Sequence, residues 1–541
     1  MNFVADPTNA TSEADRYWTT ANIGEATPDV LSPMCWSFWG PVAEAAIRRA
    51  YHRFGILSRR ELAVPSDVNQ LMTGHFYGRP ALNVDLLRPL MGSLPGVSAD
   101  DFERDLCGRL RPNLPPAGRK SRLPIIVVRG VLAMKGTPGR QREVSIRQRV
   151  WWENEVRNRK SVGEPLELLD EAADRFREAF EIHVCGRFIL AAAHANIAKL
   201  AGQVGRPEQF LGLLSGLGGV TEVQLADDLW QVSRGQLTIE TFVDRHGFHG
   251  PNEGNLTARS WREDASPVEQ LVESLKSRPD HERPRTREIS LGAERASLAE
   301  ELIASLPSKR RSRARKVCEA LVANTQANEL SKAAFLMAID GARSAARAVG
   351  DQLVINGVLD SADDVFFLTR EELHAHPGSV REIVRDRRDL RQYYRTIDLP
   401  VTFTGTPQPL VRLAPTDRDS PSAQIDDDNL IRGAAGAAGV VEGRARVIID
   451  PETAEFPQPG EILVCRFTDP SWTPILLLAA GVVIDIGGPA SHGAIVAREL
   501  GVPCVIGVGD GTLRIRTGDQ LMIDGSRGEV QIVDQINRTT R

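Results

Sequence analysis

The sequence predicts a multidomain chain, a large and mainly α-helical region followed by a compact α/β domain. Three observations carry that reading. The 541 residues, 42% apolar and 25% charged, are too many for one core and suit two or three domains. Long stretches before residue 399 repeat apolar side chains at helical spacing, whereas beyond 432 short β-rich runs alternate with Gly, Pro and Asp turns. Between them, 400–432 is rich in Thr, Pro and Asp with little period and reads as a linker, so the divisions are 1–399, 400–432 and 433–541.

The chain begins with a polar, turn-rich stretch to about residue 35, and Trp36 to Tyr51 then reads as a helix. Trp36, Phe38 and Trp39 either seal a core or line a pocket. From about 94 to 146 the sequence is rich in Pro, Gly and Arg, and the apolar run Ile125 to Val128 within it has no clear place. Helical period resumes from Glu164 to Gly202, where Leu168, Ala172, Phe176, Phe180 and Val184 fall four apart. His183 and His194 lie on that stretch and read as packing or surface residues. A second helix covers about 221 to 237. A loop with two histidines, a glutamate and several glycines follows, from Phe242 to Leu256, and loops of this kind carry function more often than helices do. Further helices span about 292 to 305, 309 to 349 and 370 to 398. On the 309–349 helix Asn328 and Lys332 share a face, and Glu329 with Lys332 reads as a surface ion pair or as part of a site.

Composition excludes some classes. A net charge of -5 gives no global attraction to nucleic acid or acidic membranes, and the basic run Lys309 to Lys316 reads as a solvated helix face. Six cysteines are scattered without a CxxC pair, which argues against zinc and against a dense disulfide framework, so no metal site is expected. The N-terminus lacks a secretory pattern and no run approaches the ~20 apolar residues of a membrane span, so a cytoplasmic location is expected.

The α/β region holds the sharpest local signal. The apolar run Gly481 to Ile486 enters Gly487 and Gly488, and a helical run leaves at Gly493, so His492 falls where a turn becomes a helix. The positive end of a helix disfavours the imidazolium, keeps a nitrogen lone pair available, and favours a bound phosphate. Ser491 can cap the helix or donate to a phosphate oxygen, and Gly487, Gly488 and Gly493 leave room for one. From physics alone the histidine is either a phosphoryl-accepting nucleophile or a capped structural residue.

The full pattern, Gly487-Gly488-x-x-Ser491-His492-Gly493-Ala494-Ile-Val-Ala-Arg-Glu-Leu-Gly-x-Pro503, with Thr468-Asp469-Pro470 before it and Asp524-Gly525 after it, resembles the swivelling phosphohistidine domain of PEP-utilising enzymes. The resemblance implies that His492 accepts a phosphoryl group, supported by Thr468, Ser491 and Arg498. Residues 313–373 and the loop His246-Gly-x-x-Gly-Pro-x-Glu253 are similar to the helical acceptor-binding region of rifampicin phosphotransferases. This sequence departs from that family in reading Gly247-Phe248-His249-Gly250 and in carrying Asn328 before Glu329. The resemblance then implies an acceptor site drawing on His249 or Glu253 as base, Lys332 as a cation with Glu329 beside it, and Trp36 and Trp39 against an apolar acceptor. No Gly-rich nucleotide loop and no regular βα barrel is legible, so the organisation resembles that of phenylphosphate synthase, whose nucleotide module is a separate subunit. The expected partners are an ATP-grasp-type subunit supplying Mg-ATP and a small-molecule acceptor. Alternatives are an ATP-driven condensation or dehydration through a phosphorylated intermediate, and a phosphocarrier with a regulatory role.

Overall fold

Two helices set the frame. Pro165–Gln203 runs for 39 residues and Ser308–Ile355 for 48, each unbroken by proline after its first residue. The computed structural model describes residues 6–534 except 28, 113, 115–116, 119–121, 159–163, 207–208, 376–379, 412–428, 450–454, 469 and 489–490. The chain falls into two compact units that interleave along the sequence, one made of 1–192, 248–262 and 327–412, the other of 193–247, 263–326 and 413–541.

The first unit is helical, with two small sheets among its described residues, the smaller an antiparallel pair of Ile397–Asp398 and Leu410–Val411. Helix Pro33–Arg53 starts where Ser32 accepts a hydrogen bond from the Cys35 N–H at 3.3 Å and proline takes the first position, a favourable helix start. It buries Phe38 and Trp39 against Phe176 of the Pro165–Gln203 helix, at centroid distances of 5.2 and 4.8 Å. Residues 123–151, which include the unplaced run Ile125 to Val128, form one 29-residue helix with Pro138 inside it, continued by a π-helical turn Trp152–Arg157. Its apolar period is hidden because the buried face is built partly from Gly130, Thr137, Gln141 and Gln148. Thr402–Thr404, at the start of the expected linker, pairs antiparallel with Tyr17–Thr19 and closes a four-stranded sheet with Thr73–Phe76 and Arg79–Asn83. Most of that linker, 412–428, lies outside the described residues.

The second unit contains the α/β domain. Eight strands form one mixed sheet in the order Leu430–Arg432, Glu529–Asp534, Gln520–Asp524, Val440–Ile448, Ile462–Cys465, Gly481–Ile484, Cys504–Ile506, Ala434–Ala437. The four central strands from Val440–Ile448 to Cys504–Ile506 run parallel. Their near-continuous apolar runs, such as the fully buried Gly481–Ile484, are what a strand covered on both faces requires. Helices Thr473–Leu478 and His492–Leu500 make the crossovers between successive parallel strands. Within this unit His492–Leu500 packs on helices Thr221–Ser233 and Pro284–Ala304. Glu499 secures that contact, accepting from the backbone N–H groups of Leu217 at 3.0 Å and Gly218 at 3.3 Å.

Candidate functional site

The loop leaving strand Gly481–Ile484 emerges at the carboxyl end of the parallel strands, where open α/β sheets bind ligands. Towards its end the Ser491 N–H donates to the Gly488 carbonyl at 2.8 Å, and His492, half-buried, is the first residue of the next helix. Gly493 is required by packing: a Cβ there would lie 2.4 Å from Ile484 Cδ1 and 2.6 Å from Thr468 Oγ1. That proximity sets the Thr468 hydroxyl against the first turn of the helix. Gly487 adopts φ +141° and has Ile506 Cδ1 at 2.7 Å from where a Cβ would stand. Asp469, Pro489 and Ala490 of the motif lie outside the described residues.

Ser491 occupies the cap position with extended backbone but makes no capping bond through its side chain. Its hydroxyl is buried and has no hydrogen-bond partner among the described residues. A buried hydroxyl left unsatisfied costs about 1–3 kcal/mol, and an anion on the helix N-terminus would supply the acceptor it lacks. Thr468, Ser491 and His492 therefore gather at one helix end, an arrangement suited to holding a phosphoryl group on the imidazole. Arg498, expected as a further phosphate support, is placed differently. Its Nη1 donates to the Gly436 carbonyl at 2.9 Å, and burial at 3% exposure pulls its pKa down to about 10. The guanidinium ties the helix to strand Ala434–Ala437.

A second polar constellation lies in the first unit. His249 Nδ1 is 2.8 Å from Glu253 Oε2, and both side chains are buried. The loop carrying them is braced from below. Arg343, 1% exposed, donates from Nη2 to the carbonyls of Glu253 at 3.1 Å and Asn255 at 3.2 Å, and Asn252 is held at φ 52°, a rare conformation outside glycine. Asp340 sits beneath, accepting from Trp152 Nε1 at 2.8 Å and from Arg262 Nε at 3.0 Å, with Arg343 Nη1 at 3.4 Å. Burial alone would raise its pKa, but Arg262, Arg343 and Trp152 outweigh burial and hold it below the ordinary carboxylate value.

Trp39 links this loop to a neighbouring cluster. Its indole N–H donates to the Gly254 carbonyl at 2.7 Å, and its ring meets Phe176, Phe180 and Phe335. Phe335 in turn lies 5.2 Å from the ring of His183, whose Nδ1 is 3.2 Å from Ser331 Oγ; Gln141 Nε2 donates to the same hydroxyl at 3.1 Å. Asn328 Oδ1 and Gln141 Nε2 approach so near Gly186 that a Cβ there would be 2.3 and 2.2 Å from them. Lys332 and Glu329 pair with each other at 3.9 Å and are largely withdrawn from water, so they are no exposed surface pair. Trp36 does not join Trp39: it meets the His75 ring at a tilt of 39° with centroids 4.3 Å apart.

Residues 457–528 match the PEP-utilising enzyme mobile domain, and 235–328 match the rifampicin phosphotransferase fourth domain. The chain carries the PEP-utilising mobile domain. His492, Ser491 and Thr468 lie within the first match, and His249 and Glu253 within the second. The chain is 31% identical to a rifampicin phosphotransferase from Streptomyces sviceus over 331 residues, which is 59% of this chain and 37% of that one. It is 34% identical over 189 residues to a rifampicin phosphotransferase from Bacillus subtilis, 34% of this chain and 20% of that one. An uncharacterised protein of Mycobacterium tuberculosis is 36% identical over 206 residues, 38% of this chain and 23% of its own. The chain thus spans about 37% of the length of the first of these relatives.

Several residues around His249 and its neighbouring cluster escaped sequence reasoning. Asp340 and Arg343 carried one signal, an i,i+3 pair of opposite charge in an otherwise apolar stretch of helix. Gln141, Trp152, Arg262 and Ser331 carried none, because their partners stand 78 to 190 positions away.

Proposed function

We propose that this chain is a phosphotransferase component that carries a phosphoryl group on His492 and delivers it to a small-molecule acceptor held by the helical unit. The observation that carries the reading is His492 opening a helix at the carboxyl end of a parallel sheet, beside the buried hydroxyls of Ser491 and Thr468. A ring nitrogen of His492 attacks the donor phosphorus; the P–N bond forms and the bond to the leaving nucleotide oxygen breaks. The acceptor oxygen then attacks the same phosphorus, the P–N bond breaks, and the acceptor proton passes to His249, oriented by Glu253. Lys332 is assigned to the developing phosphate charge, and the aromatic side chains around Trp39 to an apolar acceptor body. The phosphoryl donor is Mg-ATP on a separate ATP-grasp-type subunit.

The test is direct. Incubated with such a partner and labelled ATP, the chain acquires an acid-labile, base-stable phosphate on His492, found by mass spectrometry, and His492→Ala acquires none. Equal labelling of His492→Ala would remove the carrier role. Labelling of the unmodified chain by ATP without a partner would remove the separate-subunit assignment and leave the carrier intact.

A further inference from the structure

Helix Leu123–Trp151 shows water a face that its sequence makes apolar. Leu123, Val127, Val128, Val131, Leu132 and Met134 are 38–66% exposed, although each is a residue that normally buries. They fall within 12 residues at helical spacing and so form a ridge of about three turns, ~17 Å long. Isolated exposed leucines need no explanation, but a contiguous patch of this kind marks an interaction site.

Beside the ridge runs a furrow between this helix and helices Pro33–Arg53 and Pro165–Gln203. One part encloses about 730 Å³ and an adjoining part about 450 Å³; Arg129 and His52 line both. Ile125, Arg129, Leu132, Gly136 and Arg140 follow one another at steps of three or four and line its floor and wall. The rim is basic. Arg49, Arg53, Arg129, Arg140 and Arg177 face the larger part, against Glu178 and Glu181. Those two carboxylates are already engaged, Glu181 by Arg53 and Glu178 by both Arg140 and Arg147. The helix itself carries six basic residues and one acidic one.

The geometry points to a docking surface for an acidic amphipathic helix of another protein chain, its apolar stripe on the ridge and furrow floor, its carboxylates on the arginine rim. Charge selects this occupant over a second copy of the chain, since a two-fold pairing of the face with itself would set arginine rim against arginine rim. Shape selects it over a lipid surface, since a planar headgroup layer leaves a furrow unfilled. His492 takes no part in this surface, which therefore stands or falls apart from the carrier chemistry.

The test uses the full chain and a fluorescein-labelled 20-residue helical peptide with leucines at i, i+3, i+4 and i+7 and glutamates elsewhere. Saturable binding by anisotropy is expected, weakened at least tenfold by Leu132→Asp and by Arg129→Glu, unchanged in His492→Ala, and absent for a peptide with lysines in place of the glutamates. All three substituted side chains are at least partly exposed, and an unchanged melting temperature checks that each variant is folded. Failure of the acidic peptide to bind, or equal binding of the lysine peptide, overturns the inference. So does a concentration-dependent dimer in sedimentation velocity that Leu132→Asp abolishes, or flotation with phosphatidylserine vesicles lost in the same variant.

Discussion

The two polar constellations are built on opposite plans. Around His492 the polar groups lie in one short stretch: the glycines, the cap position, the histidine and its helix follow one another from Gly487 to Leu500, and Thr468 comes from the loop after the neighbouring parallel strand. Around His249 nothing is consecutive beyond the loop itself. Arg343, Asp340, Arg262, Trp152, Ser331, Gln141 and His183 come from four separate segments. Under the proposed function the difference follows from the tasks: a carrier needs a nucleophile on a helix end, which local sequence can supply, whereas recognition of an acceptor needs groups held rigidly against each other, which only packing supplies.

That contrast predicts unequal sensitivity to substitution. The largest effect is expected at Asp340→Ala, which leaves the Arg262 and Arg343 guanidiniums and the Trp152 indole without their shared acceptor. Removing one partner of a buried charge pair typically costs about 3–5 kcal/mol. Denaturant unfolding should show a loss of that size, with Asp340→Asn intermediate because it can still accept from Trp152. A loss below about 1 kcal/mol, the range of exposed pairs, would mean that the loop is not braced through Asp340.

A smaller effect, confined to chemistry, is expected at Glu253→Gln. The amide is nearly isosteric and keeps the loop in place, but it weakens the hydrogen bond that orients His249. Delivery to the acceptor should fall by about a hundredfold, the lower range for loss of acid–base assistance, while labelling of His492 stays normal. Single-turnover transfer from pre-labelled protein separates the two steps, and equal losses in both would contradict the division of labour.

The same contrast explains what could be read in the sequence. Strand, glycine turn and helix around His492 were legible because each is a local pattern, and the parallel arrangement follows from buried apolar runs separated by short helices. Arg498 was legible as a residue but not as a direction: six positions beyond His492 it has rotated off the helix's active end and meets Gly436 instead. Helix Leu123–Trp151 was missed because it buries Gly130, Thr137 and Gln141 and exposes Val127, Val128 and Leu132, the reverse of the amphipathic pattern that reveals a surface helix. Trp36 and Trp39 look equivalent in sequence, yet one packs against His75 and the other reaches Gly254.

The compactness of the His492 region has a limit, and Asp485 tests it. Asp485 opens the loop that ends at His492 and is braced from 27 positions away, accepting from the Thr512 N–H at 3.1 Å and from its hydroxyl. Burial pushes its pKa up to about 6 even though the Thr512 bonds act to lower it. An unfolded aspartate titrates near 3.9, so between that value and about 6 the folded chain holds a proton that the unfolded chain does not. This contribution to stability is fully present below pH ~4 and is lost as pH rises through the folded value; at pH 7.5 the buried charge opposes folding by about 2–3 kcal/mol. Asp485→Asn removes the charge and keeps an acceptor for Thr512. It should therefore melt higher than the unmodified chain at pH 7.5 and together with it at pH 4, by differential scanning fluorimetry. If the variant instead melts lower at both pH values, the carboxylate is a brace that the loop cannot spare, and the site around His492 depends on distant packing as much as the one around His249 does.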